Sequence, residues 1–92
     1  MPLKGIYQWK ESHEQIRVSI PLKGAPASKA DIFVTSSILK VNYAPYLIDI
    51  LLHDTIEPNR HKAIVKDGVL KLTLFKKEAR LWGKFEADEN EN

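Results

Sequence analysis

Three histidines, His13, His53 and His61, are the side chains in this 92-residue sequence that first suggest metal or acid–base chemistry. None of them has a second ligand residue at the spacing of a known metal-binding motif. Asp54 follows His53 directly, and neighbouring side chains on a strand point to opposite faces. We therefore interpret the histidines as surface or loop residues, and the sequence predicts no metal site.

The sequence also lacks a pattern for catalysis. Ser12 precedes His13 without a glycine-rich elbow or an oxyanion-hole signal. The carboxylates of Asp49, Asp54 and Glu57 have no context that marks an acid–base pair, so we interpret them as solvated. The four glycines form neither a phosphate-binding loop nor a dinucleotide fingerprint, and there is no cysteine for a disulfide or a thiolate metal site. We therefore expect a protein without enzymatic activity and without a cofactor.

The composition is that of one small globular domain, with 43% hydrophobic and 28% charged residues. The longest apolar run, residues 46–52, is interrupted by Asp49 and is too short to span a bilayer. The first twenty residues contain five charges and no signal-peptide core. The expected location is the cytoplasm.

Charge is distributed unevenly along the chain. Four of the acidic residues fall within positions 86–92, and without them the chain has 14 basic and 8 acidic groups, a net charge of +6. A basic body favours an anionic partner, although a solvated surface explains the same excess. Residues 1–86 are the predicted domain, and residues 87–92 are predicted to be an acidic disordered tail or the start of a linker.

The clearest structural signal is the alternation of apolar and polar residues over Val69–Phe75. Its leucines fall on one face of a strand and the remaining residues on the other. Asp67-Gly68 lies between this run and the β-prone residues 63–65. A DG pair in that position predicts a β-hairpin with a type I′ turn.

Other short segments have strand-like patterns separated by polar or proline-containing turns. The further predicted strands are residues 6–10, 15–20, 31–35, 38–43 and 46–53. Residues 46–53 fit both a helical stripe and a strand face, and their short length favours a strand. About seven strands at roughly 8–12-residue spacing predict an all-β fold, an antiparallel β-sandwich.

The end of the last strand carries an aromatic residue and a run of charges. Phe75 falls on the face opposite the leucines, where it could contact a partner, pack under a loop or stack on nucleic acid. Lys76, Lys77 and Arg80 form a charged cluster, interpreted either as solvated or as a docking patch. Trp82 is interpreted as a lid over one end of the core.

Four segments, taken in order, resemble a known family. They are Tyr7-Gln8-Trp9, the run IRVSIPLKG at residues 16–24, the run YAPYL at residues 43–47, and LTLFKKE at residues 72–78 followed by Trp82. Together they resemble the CS domain, the β-sandwich shared by p23-type and Sgt1-type co-chaperones. The resemblance covers residues 6 to about 86.

The resemblance implies a non-catalytic protein-interaction module. Segments 20–24, 39–43 and 75–79 are most similar to family members that act with heat-shock chaperones in the cytoplasmic preassembly of axonemal dynein arms. The expected partners are therefore Hsp90 or Hsp70 and dynein assembly factors. The expected location is the cytoplasm of a ciliated or flagellated cell, with the nucleus as a second location.

The resemblance also implies a site. In Sgt1-type domains the lysine and the acid of the LxKxE motif lie at or near the chaperone-contact surface, and the matching positions here are Lys76 and Glu78. With their neighbours Phe75 and Lys77, they form the predicted partner-binding site. The alternative function is that of a small basic β domain that binds single-stranded nucleic acid.

Overall fold

The computed structural model describes residues 3–87, which form an all-β architecture. The strands are Leu3–Lys4 (β1), Gln8–Glu11 (β2), Gln15–Pro21 (β3), Asp31–Val34 (β4), Ile38–Tyr43 (β5), Tyr46–Leu51 (β6), Lys62–Lys66 (β7) and Val69–Phe75 (β8). Two short 3-10 helices, Ala27–Lys29 and Pro58–Arg60, lie between strands. The predicted fold class is confirmed. The described residues contain eight strands rather than about seven, because β1 has only two residues and therefore no readable periodicity.

The strands form two four-stranded sheets packed as a sandwich. The first sheet has the order β1-β6-β5-β4 and the second the order β2-β3-β8-β7. All pairs are antiparallel except β1 with β6. Alternate residues of each central strand point inward, which is the period of two seen in the sequence. The buried apolar core comprises Ile16, Val18, Ile20, Leu22, Leu39, Val41, Tyr43, Ile48, Ile50, Leu52, Ile56, Leu70, Leu72, Leu74, Trp82 and Phe85.

The segment that fits both a helix and a strand is a strand. Tyr46–Leu51 pairs along its whole length with β5. Ile48 and Ile50 point into the core, while Asp49 between them is exposed. Leu52 continues the pattern in an isolated bridge to Glu86. The preference for a strand is therefore confirmed.

The hairpin between β7 and β8 has the predicted turn. Asp67 and Gly68 have φ values of 53° and 74°, and Lys66 pairs with Val69 on either side of them. Positive φ at both central residues is the requirement of a type I′ turn, whose twist matches that of the flanking strands. The turn therefore fixes the register of both strands.

The first predicted strand begins later than expected. Residues 6–10 were expected to form it, but the ladder with β3 starts at Gln8. Residues 5–7 instead carry the chain from the first sheet, where the Gly5 amide donates to the Leu47 carbonyl at 3.0 Å, to the second. Gly5 fits because a Cβ there would lie 2.6 Å from both Ile48 Cγ1 and the Tyr43 hydroxyl.

The chain after Trp82 contacts residues of both sheets. The Phe85 ring lies 5.6 Å from the rings of both Tyr7 and Trp9, next to the second sheet. On the other side, the His53 amide donates to the Phe85 carbonyl at 2.8 Å, and the Ala87 amide donates to the Leu51 carbonyl at 2.8 Å. The segment 84–87, here called the strap, therefore joins the two sheets.

Two predictions concern the C-terminal part of the chain. Trp82 is buried at one end of the core, so its interpretation as a lid is confirmed. The predicted acidic tail begins at residue 87, and its residues 88–92 lie outside the described part of the chain. The boundary between domain and tail stays a prediction. Within residues 3–87, no helix has the length and apolar character needed to cross a membrane.

Candidate protein-interaction surface

Phe75, the first residue of the predicted site, ends β8 on the outer face of the second sheet and is half-buried. The Arg60 guanidinium lies 4.7 Å from the centre of its ring, and the Lys62 ammonium lies 5.9 Å from it. Both cations lie within reach of the negative face of the ring. Phe75 is therefore partly covered by side chains of its own domain. The rest of the ring remains exposed and can contact a partner.

Lys76 does not lie on the surface, and this corrects its expected placement. Its side chain has 0% exposed area. The ammonium donates to Glu11 Oε1 at 2.7 Å and to the carbonyls of Ser12 and Arg80 at 2.6 Å each. A buried ammonium has three protons and needs three acceptors, all of which are present. The run of charges in the sequence gives no sign of this burial, because two of the three acceptors, on Glu11 and Ser12, come from a distant segment.

Glu11 is the centre of this buried network. Besides the lysine proton, its carboxylate accepts the amide protons of Trp82 at 2.8 Å and Gly83 at 2.9 Å. Burial alone raises the pKa of this carboxyl, but the hydrogen bonds from Lys76 and the two amides outweigh it and lower the pKa. The end of β2 therefore holds the loop 76–83 in place through one carboxylate.

A second ion pair holds the same loop from the first sheet's side. Arg80 Nε donates to Asp54 Oδ2 at 2.9 Å, and a second guanidinium nitrogen contacts the same oxygen. The hydrogen bond from Arg80 lowers the pKa of the Asp54 carboxyl. Because Arg80 is largely exposed, this pair contributes mainly to the position of the loop.

The other two predicted site residues are displayed by this loop. Lys77 and Glu78 are exposed, and the Glu78 carboxylate lies 3.8 Å from an Arg80 nitrogen. The structure thus places Phe75, Lys77 and Glu78 at the end of the second sheet and places the ammonium of Lys76 beneath them. Lys76 positions the loop rather than presenting a charge to solvent.

The second sheet carries a basic surface that the sequence did not single out. Four exposed cations point outward from the second sheet, and we call this set the basic face: Lys10, Arg17, Lys62 and Lys71. Strand register brings them together, because Lys10 pairs with Arg17, Arg17 with Thr73, and Thr73 with Lys62. Finding the face from sequence requires the order β2-β3-β8-β7, which no single segment encodes.

The basic face surrounds a shallow groove of about 500 Å³. Among residues 3–87, none of the four cations forms a salt bridge. The rows of paired residues that cross the groove contain no carboxylate. Unpaired like charges on one concave surface attract an anionic partner and raise its association rate.

The described residues show no constellation for metal chemistry. No group of three or more histidine, aspartate or glutamate side chains in the range 3–87 is arranged to hold a metal ion.

The family is shown by sequence. A model of the CS domain family matches residues 5–76, so the chain belongs to the CS domain family. Dynein axonemal assembly factor 4 of Pongo pygmaeus is 36% identical over 83 residues, which cover 89% of this chain and 20% of that protein. The chain thus spans about a fifth of the length of that relative. The resemblance seen in the sequence is confirmed.

Solved structures support the fold. The nuclear movement protein from E. cuniculi GB-M1 superposes with a TM-score of 0.80 at 18% identity, covering 88% of this chain and 98% of that chain. Heat shock protein 16.0 from Schizosaccharomyces pombe has a TM-score of 0.74 at 17% identity, covering 96% and 77%. At such identities the similarity shows the sandwich architecture alone.

Proposed function

We propose that this domain is the non-catalytic interaction module of an adaptor in the cytoplasmic preassembly of axonemal dynein arms. It binds heat-shock chaperones, Hsp90 or Hsp70, or other assembly factors. The observation that carries this proposal is the 36% identity with dynein axonemal assembly factor 4 over 89% of the chain. Membership of the CS family supports it, because CS domains commonly bind chaperones.

The binding surface in this proposal combines the basic face with the loop beside it. Phe75 supplies a half-buried apolar contact, and Lys77 and Glu78 supply exposed charges next to it. The cations of the basic face steer an acidic partner surface toward this side of the sandwich. Lys76 acts indirectly, since its ion pair with Glu11 fixes the loop that displays its neighbours.

A protein partner fits this surface better than single-stranded nucleic acid. Binding of single strands uses open aromatic rings on which bases stack, together with basic residues. Here the Trp9 ring is stacked on Phe85, and the Phe75 ring is partly covered by Arg60. The cations are present, but neither of these two rings is free to act as a stacking platform.

The test is capture of chaperones and assembly factors from the cytosol of ciliated cells. The double variant Arg17→Glu/Lys71→Glu cancels the net positive charge of the basic face, and Lys77→Glu changes the loop. Lys29→Glu is the control, because Lys29 is also an exposed lysine and lies in the short helix Ala27–Lys29, outside the second sheet. We expect the first two variants to lose partners that the control retains.

Two results would count against the proposed function. Equal capture by all variants would remove this side of the sandwich from binding. Tight binding of a labelled single-stranded oligonucleotide, with an affinity that falls steeply between two salt concentrations, would favour the nucleic-acid function instead.

A further inference from the structure

Strand β7 is an edge strand whose side chains are all exposed. It stands at the end of its sheet, and its burial pattern is exposed at each of its five positions. Ile64 is 62% exposed on the outer face, and Val65 is 42% exposed on the face that elsewhere packs against the core. The opposite sheet therefore does not cover this edge, and an apolar strip of the sandwich lies open along it.

The hairpin turn determines which backbone groups of β7 face outward. In a two-residue type I′ hairpin, the residues that flank the turn form a hydrogen-bonded pair, here Lys66 and Val69. Pairs then alternate along the ladder, so Ile64 and Lys62 bond to β8. The N–H and C=O groups of Ala63 and Val65 point away from it.

These outward groups have no backbone partner. Among residues 3–87, no strand lies on the far side of β7, and no backbone hydrogen bond outside the ladders uses Ala63 or Val65. Two donors and two acceptors are therefore presented in the spacing of a β-ladder. Such an edge is a template for the addition of another strand.

The charges along β7 select the kind of strand that can be added. Lys62 and Lys66 lie at the two ends of β7 and share the outer face with Ile64. A second copy paired antiparallel about Ile64 would place lysine opposite lysine at both ends, which disfavours that self-pairing. A strand with acidic residues at the same two positions would instead form two cross-strand ion pairs.

We propose that the free edge of β7 is a docking site for an extended acidic segment of a partner protein, which joins the second sheet as a fifth strand. The segment has the pattern acid–apolar–apolar–apolar–acid. Its acids lie opposite Lys62 and Lys66, its central side chain lies opposite Ile64, and its remaining two apolar side chains cover Ala63 and Val65. This site shares Lys62 with the basic face, but it uses the free backbone edge of β7 and does not depend on the proposed chaperone contact.

The probe is a synthetic peptide with a Glu-Val-Ile-Val-Glu core and Gly-Ser ends, and its control has lysines in place of the glutamates. Binding to the 92-residue chain is measured by fluorescence anisotropy. We expect the acidic peptide to bind at least about tenfold more tightly than the lysine peptide. Both peptides can form the same backbone ladder, but glutamates attract Lys62 and Lys66 whereas lysines repel them. Equal binding of both peptides would overturn the proposed charge selection.

Amide hydrogen exchange locates the bound peptide. In the free chain, the amides of Ile64 and Lys66 are expected to be protected by β8, while those of Ala63 and Val65 exchange rapidly. On binding of the acidic peptide, Ala63 and Val65 become protected. If the peptide binds while these two amides stay unprotected, the peptide is held at another part of the surface and the edge proposal is wrong.

Val65→Pro tests the backbone contact from the protein's side. Proline removes the outward N–H of residue 65 and leaves the bonds between β7 and β8 intact, which is why proline is tolerated on sheet edges. We expect a loss of peptide affinity of at least about tenfold, while Val65→Ala, which keeps the N–H, loses much less. Undiminished binding by Val65→Pro would overturn the proposal.

Two further arms keep the test decisive. If Val65→Pro fails to fold, a peptide with N-methylated valines blocks the same ladder without changing the protein, and its full binding would count against strand addition. The double variant Lys62→Glu/Lys66→Glu is expected to reverse the preference toward the lysine peptide. Failure of chaperone capture leaves these outcomes unchanged, so the two proposals are tested separately.

Discussion

At the scale of single residues, the most informative side chain is Lys76. It lies in a run of charged residues, yet its ammonium is enclosed by Glu11 and two carbonyls. Removing one partner of a buried ion pair leaves the other charge without compensation in a poorly solvated site. The loop beside the basic face therefore depends on a lysine that no partner can reach.

Lys76→Ala should destabilise the domain by about 3 kcal/mol, because it leaves the Glu11 carboxylate partly buried without its lysine. Lys77→Ala is the matched control one residue away, and its exposed side chain should change stability by no more than about 0.5 kcal/mol. Urea unfolding of both variants measures the difference. Equal stability of the two would mean that the ammonium of Lys76 is solvated.

The lowered pKa of Glu11 predicts a dependence of stability on pH. The folded-state pKa lies below the ordinary value of 4.5, so ionised Glu11 stabilises the folded state above that value. This contribution is lost as the pH falls through the folded-state pKa. Glu11→Gln, which cannot ionise, should therefore be less stable than the parent chain at neutral pH and should approach it as acidification protonates Glu11 in the folded state. A difference in unfolding free energy that stays constant from neutral pH to acid would contradict this.

At the scale of elements, β8 determines the arrangement of the second sheet. It pairs with β3 along seven positions and with β7 along five. Its leucines fill the core, while Lys71 on the other face contributes to the basic face. One alternating segment therefore supplies both the packing and part of the surface that carries the proposed function.

Leu72→Ala should cost about 2–5 kcal/mol, since it deletes buried methyl groups and leaves a cavity. Lys71→Ala, on the opposite face of the same strand, should cost no more than about 0.5 kcal/mol. Thermal or denaturant unfolding checks both variants. A larger loss for Lys71→Ala than for Leu72→Ala would mean that the two faces of β8 are assigned the wrong way round.

The sequence predicts elements well where one segment contains the whole signal. The alternation in Val69–Phe75 and the Asp67-Gly68 pair are local, and both predictions are confirmed. The two-residue β1 has no period to read, and the burial of Lys76 depends on acceptors more than sixty positions away. The basic face likewise arises only when four strands are placed side by side.

At the scale of the whole molecule, the two sheets have different roles. Glu11 and Asp54 hold the loop 76–83, and the strap closes the same side of the sandwich. The outer face of the second sheet, with its unpaired cations and its open edge at β7, is left available. The fold thus concentrates its stabilising contacts inside and at one end, and leaves one sheet as the proposed interaction surface.

Phe85→Ala tests whether the strap joins the two sheets. The ring packs against Tyr7 and Trp9, while the Phe85 carbonyl accepts from the His53 amide and the Ala87 amide donates to the Leu51 carbonyl. The truncation removes a buried aromatic and should cost about 3–5 kcal/mol. Tyr7→Phe is the control, because it loses only the 2.7 Å hydrogen bond to Glu86 at an exposed site and should cost much less.

Because the strap contacts both sheets, tryptophan fluorescence and far-ultraviolet circular dichroism of Phe85→Ala should report one shared transition at lower denaturant. If Phe85→Ala instead left stability unchanged, the sandwich would be held by its core strands alone.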